Sequence, residues 1–134
     1  MAIDKTAVIG FPVDHSLSPI IHNHWIKELA LDIKPYEKLN VDPNMFKEQI
    51  NNLKAEGFGG INVTVPLKEL AFNISDETSN VSKKLRSANT LTLSSDKINA
   101  DNTDAVGFIN SLDKKTIEKN ITNNSHFIIT FFNR

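Results

Sequence analysis

Short apolar runs alternate along this chain with stretches where apolar residues recur every three or four positions. Thr6-Ala7-Val8-Ile9-Gly10 is a β-branched run closed by glycine and predicts a buried strand. After a loop from Phe11 to Leu17, Ser18-Pro19 has the form of an N-cap and first helical position. Ile21, Trp25 and Leu29 then repeat at four-residue spacing, predicting a helix from about Pro19 to Ala30 with Trp25 in the core. Ile33 to Leu39 predicts a second strand, placed at a sheet edge or starting at Pro35. Asp42-Pro43 repeats the cap signature; Phe46, Ile50 and Leu53 share one helical face, and Gly57 is the expected stop.

Gly60 to Val65 predicts another strand, with Ile61, Val63 and Val65 on one side and Asn62 and Thr64 on the other. Pro66 is expected to open a short helix. Thr90 to Leu93 and Lys97 to Ala100, around Ser94-Ser95-Asp96, predict a β-hairpin, and Thr103 to Leu112 a final helix. The succession implies an α/β fold: a mostly parallel sheet with one antiparallel strand, flanked by helices. Residues 1–112 form the expected domain. From Asp113 to Ser125 the chain turns polar and rich in Asn and Lys, like a linker, before the strand-like run Phe127 to Phe132.

Composition narrows the function classes. Hydrophobic residues make up 40% of the 134, enough for a core, and the net charge of −1 argues against a nucleic-acid footprint. The absence of cysteine excludes disulfides, thiolate catalysis and Cys-based zinc sites. No apolar run approaches the roughly 18 residues of a membrane-spanning helix. The N-terminus does not resemble a secretory signal, so a cytoplasmic location is expected. His22 and His24 face different ways on a helix, and no metal-binding pattern emerges.

Three segments could carry chemistry. In Gly10 to Pro19, Ser16 and Ser18 arrive at a helix N-terminus, where backbone N–H groups and two hydroxyls suit a small carboxylate. Simple capping by Ser18 accounts for part of the same pattern. In Asn62 to Lys68, Asn62 and Thr64 point the same way near the carboxyl end of a strand, where ligands bind in open α/β sheets. Lys68 falls in the first turn of a helix, unfavourable for a cation by a few tenths to about 1 kcal/mol. It is a proton-transfer candidate, or else a surface lysine. In Ser87 to Asp104, Asn89 suits a polyol, and Asp104 could accept from a hydroxyl and orient a lysine; a strand-entry Asn and a helix-start Asp are the plainer alternatives. No G-x-G-x-x-G occurs, so no dinucleotide phosphate cradle is expected.

Four pieces in register resemble shikimate dehydrogenases: A-V-I-G-F-P-V-D-H-S-L-S-P-I-I-H-N from Ala7, G-I-N-V-T-V-P-L-K-E from Gly60, A-N-T-L from Ala88 and D-N-T-D from Asp101. The resemblance spans roughly residues 5 to 112. It implies the substrate-binding domain of an enzyme that reversibly reduces 3-dehydroshikimate to shikimate with NADPH, on the route to chorismate and the aromatic amino acids. By motif, Ser16 and Ser18 would bind the substrate carboxylate, Thr64, Asn89 and Asp104 would hold carboxylate or ring hydroxyls, and Lys68 paired with Asp104 would be catalytic. Ala105 stands where the family usually has glycine, and Ser87 where it usually has a small apolar residue. The family continues into a Rossmann domain for NADP. Here Phe131-Phe132-Asn133-Arg134 replaces the phosphate-loop glycines. Residues 113–134 are therefore expected to be a linker and the truncated start of that domain, with NADP not bound by this chain and turnover not achieved by it alone. Expected partners are shikimate or 3-dehydroshikimate, and a separate Rossmann chain or self-association, but neither nucleic acid nor membrane. The alternatives are a non-catalytic shikimate- or quinate-binding module and a degenerate remnant.

Overall fold

The structure, a computed structural model, describes residues 4–112. The predicted linker and the Phe127–Phe132 run lie outside them. The elements follow as β1 (Lys5–Gly10), α1 (Ser18–Glu28), β2 (Glu37–Asn40), a 3-10 turn (Pro43–Met45), α2 (Phe46–Ala55), β3 (Phe58–Val63), α3 (Lys68–Ile74), β4 (Glu77–Thr78), α4 (Asn80–Leu85), β5 (Thr90–Leu93), β6 (Ile98–Asp101) and α5 (Thr103–Ser111).

Alternation along the strands separates the two faces of the sheet. Ala7, Ile9, Ile61, Val63 and Leu91 point to one side and bury against Phe46, Ile50 and Leu53 of α2 and Ala71 of α3. On the opposite side a smaller cluster joins Val8, Val13 and Tyr36 to Ile26 of α1. The sheet runs β2-β1-β3-β5-β6-β4, with β3–β5 and β5–β6 antiparallel and the other pairs parallel. One strand, β5, thus opposes the rest, as the sequence pattern implies. The short β2 lies at an edge, with Pro35 before it and outside the ladder.

Several expectations are corrected. Ser18 does not cap α1: Leu17 holds the N-cap position without a side-chain cap, and the Ser18 N–H donates to Ser16 Oγ at 3.3 Å. Trp25 is not core but 51% exposed. The helix turns its His22–Ile26 stripe to the sheet, leaving Ile21, Trp25 and Leu29 half-exposed or more. Strand β3 begins two residues earlier than Gly60 and ends at Val63, so Val65 is exposed. Pro66 lies in the turn before α3, which starts at Lys68. Elements β4 and α4 have no counterpart in the sequence pattern. Asp42 caps as expected, accepting from Asn44 N–H at 2.8 Å, although the turn it opens is 3-10 before α2 begins. Gly57 ends α2 with φ +90°.

Candidate active site

The carboxyl ends of β1 and β3 lie side by side and send their loops into α1 and α3. Strand β3 runs into a tight turn in which Leu67 N–H donates to the Thr64 carbonyl at 2.9 Å. Leu67 is fully buried, and the next residue, Lys68, opens α3. Lys68 Nζ lies 2.7 Å from Asp104 Oδ2, with side-chain exposures of 15% and 35%. That carboxylate offsets the unfavourable end of the α3 dipole.

The run Asp101 to Asp104 presents the carboxylate. Asn102, almost fully buried, caps α5: its Oδ1 accepts from Ala105 N–H at 3.3 Å and its Nδ2 donates to the Ser87 carbonyl at 3.1 Å. Sequence reasoning passed over Asn102, although an Asn immediately before an apolar-periodic run is an N-cap signal. The capped helix then carries Asp104 in its first turn.

Asn89 locks the cluster. Its Nδ2 donates to Asp104 Oδ1 at 2.8 Å and to Thr103 Oγ1 at 2.9 Å, while its Oδ1 accepts from Thr103 N–H and the Thr90 hydroxyl, each at 3.0 Å. Two donors and two acceptor positions are all occupied. The Ala88–Asn89 backbone ties three elements together: Asn89 N–H donates to the Asp101 carbonyl and Val63 N–H to the Asn89 carbonyl, while Ala88 N–H donates to the Lys68 carbonyl. Lys68, Asn89 and Asp104 therefore form one hydrogen-bonded unit.

Thr64 and the serines approach from the β1 side. Thr64 N–H donates to the Ile9 carbonyl and Phe11 N–H to the Val65 carbonyl, which pins the two loops together. The Thr64 methyl sits so close to Gly10 that a Cβ there would lie 2.6 Å from it. The loop after Gly10 delivers Ser16 and Ser18 to the start of α1, and no hydrogen bond among the described residues occupies the Ser18 hydroxyl. No described hydrogen bond joins either serine to the Lys68 cluster; the two groups share the sheet edge through Thr64.

The glycines among the described residues do not fit a dinucleotide. Gly10 is packed against Thr64 and Val13, Gly57 ends α2, Gly59 and Gly60 lie within β3, and Gly107 is inside α5. None opens a helix as a phosphate-binding turn does. No group of three or more metal-ligating side chains occurs among these residues either, and no helix among them is long and apolar enough to cross a membrane.

The described residues form an α/β domain that sets an amine, a carboxylate and an amide in one hydrogen-bonded group at a sheet edge. The family described as "Shikimate dehydrogenase substrate binding domain" matches residues 8–91, and the chain belongs to it. A shikimate dehydrogenase (NADP(+)) from Rhizobium etli is 44% identical over 113 residues, which cover 83% of this chain and 39% of the relative. The shikimate dehydrogenase structure from Aquifex aeolicus superposes with a TM-score of 0.74 at 33% identity, over 90% of this chain and 43% of that one. The Thermus thermophilus shikimate 5-dehydrogenase, crystallised with NADP(H) and shikimate, gives a TM-score of 0.73 at 30% identity, over 81% of this chain and 41% of that one. The chain thus spans about two fifths of the length of the curated relatives it matches.

Proposed function

We propose that this chain supplies the shikimate-binding and proton-transfer half of an NADP-dependent shikimate dehydrogenase. The Lys68–Asn89–Asp104 unit carries the reading: an ammonium held against a fixed carboxylate at a sheet edge suits a proton given to a carbonyl oxygen as its carbon is reduced, and taken back in reverse. Asp104 orients Lys68, and Asn89 orients Asp104. For Asn89 also to hold a ring hydroxyl, one of its four hydrogen bonds must be exchanged for the substrate. Ser16 and Ser18 meet the substrate carboxylate at the start of α1, and Thr64 stands between them and the lysine. NADPH supplies the hydride in this family, and residues 4–112 offer no cradle for it, so holding it falls to polypeptide beyond those residues.

Calorimetric titration with shikimate and with its methyl ester tests the reading. The acid should bind the 134-residue chain, and the ester, lacking the charge, should bind at least about tenfold more weakly, as expected for hydrogen bonds to a charged group. Equal affinities would refute the carboxylate site, and no binding of the acid would refute the reading as a whole.

A further inference from the structure

Asn62, next to the last residue of β3, is paired in register with Thr90, whose hydroxyl donates to Asn89. Asn62 borders an apolar cleft of about 310 Å³ between α1 and the open face of the sheet, lined on its other side by Trp25, Ile26 and Leu31. Its amide is held from one side only. Tyr36, 5% exposed, donates its hydroxyl to Asn62 Oδ1 at 2.7 Å. Among the described residues no hydrogen bond is made by Asn62 Nδ2.

Tyr36 is itself built into place. The Asn23 side chain brackets its backbone, Nδ2 donating to the Tyr36 carbonyl at 3.0 Å and Oδ1 accepting from Tyr36 N–H at 2.7 Å. His22 stacks on its ring with centroids 4.1 Å apart and planes within 7°. Burial raises the phenol pKa, so the hydroxyl keeps its proton and remains a donor. The same burial of His22 lowers its pKa, favouring the uncharged ring against Tyr36.

We infer that Tyr36 is a positioning residue of the site: by donating to Asn62 Oδ1 it turns the Asn62 Nδ2 donors toward the space next to Thr64 and Asn89, where they hold a hydroxyl of the bound polyol. The inference rests on the proposed shikimate site. Helix α1 then does more than present Ser16 and Ser18. Through Asn23 and His22 it also sets the phenol that orients an amide on β3.

A double-mutant cycle tests this, with shikimate affinity of the full 134-residue chain read from NMR shift titrations, which reach millimolar dissociation constants. Tyr36→Phe keeps the ring and its stack on His22. It should weaken binding by about threefold to tenfold, the worth of one neutral hydrogen bond. In an Asn62→Ala background the same change should have no further effect, because Tyr36 acts only through Asn62. The Asn62 side-chain amide signals should also shift in Tyr36→Phe without ligand. Wild-type affinity in Tyr36→Phe, or losses that multiply in the double variant, would overturn the inference. Absence of shikimate binding by the parent chain would instead remove the site reading, and this inference with it.

Discussion

Lys68 stands where the α3 dipole disfavours a cation, and the Asp104 carboxylate lies 2.7 Å from its amine. Reconstituted with a cofactor domain from a relative, Lys68→Met should lower turnover by about 10²–10⁴-fold, as loss of acid–base catalysis does; near-normal turnover would remove Lys68 from the mechanism. The misplaced charge singled this residue out in the sequence, and the family resemblance gave it the catalytic role. Asn102 and Tyr36 were not legible in the same way. Asn102 carries a local N-cap signal that was passed over in its polar, acidic run, whereas Tyr36 works through a partner 26 positions away, a range that leaves no local pattern. The serines show the opposite failure: the sequence assigned the cap to Ser18, but the hydroxyl that accepts at the helix start belongs to Ser16. Ser16→Ala should therefore cost about 0.5–1.5 kcal/mol of stability in urea unfolding, the net worth of one neutral hydrogen bond, and Ser18→Ala less. Both should weaken shikimate binding, by roughly 1.5–3 kcal/mol for each lost bond to a charged group. Unchanged affinity in the double variant would refute the carboxylate assignment.

Among the elements, those with a strong apolar period or a clear turn signal were found, and β4 and α4 were missed. Helix α2 buries Phe46, Ile50 and Leu53 as spaced, and the β5–β6 hairpin falls within a residue of its predicted bounds. Helix α4 buries only Ser82 and Leu85, and it ends at Arg86 in a left-handed conformation where glycine would have signalled the stop. Helix α1 was found but misoriented. Its most apolar stripe faces outward, while His22 and Ile26, only one of them aliphatic, face the sheet. Close packing between elements gives a further prediction. Gly10→Ala would drive a Cβ to 2.6 Å from the Thr64 methyl and 3.2 Å from Val13. It should destabilise the fold by about 1–3 kcal/mol, as overpacking does, and should also perturb shikimate binding through Thr64. An unaltered urea midpoint would contradict that packing.

At the scale of the whole molecule, the alternation of strands and helices predicted the α/β class, and the hairpin predicted the single antiparallel strand. The hydrogen-bonded grouping of Lys68, Asn89 and Asp104 was not readable from spacing; the family resemblance pointed to it, and the joining of Ser16, Ser18 and Thr64 to that group belongs to the proposal. With no dinucleotide cradle among residues 4–112, the 134-residue chain supplied with NADPH and 3-dehydroshikimate should show no cofactor oxidation above background when followed optically. A clear turnover abolished by Lys68→Met would show that the chain holds the nucleotide itself.

The central claim is that these separated segments form one shikimate site, and an assigned ¹H–¹⁵N spectrum of the chain titrated with shikimate tests it most directly. The account predicts that shifts concentrate at Ser16 to Ser18, Asn62 to Lys68, Asn89 and Asp104, and that Lys68→Met weakens the response across the whole set. A spectrum that does not move, or one whose shifts gather at α2 and the edge strand β2, would contradict it.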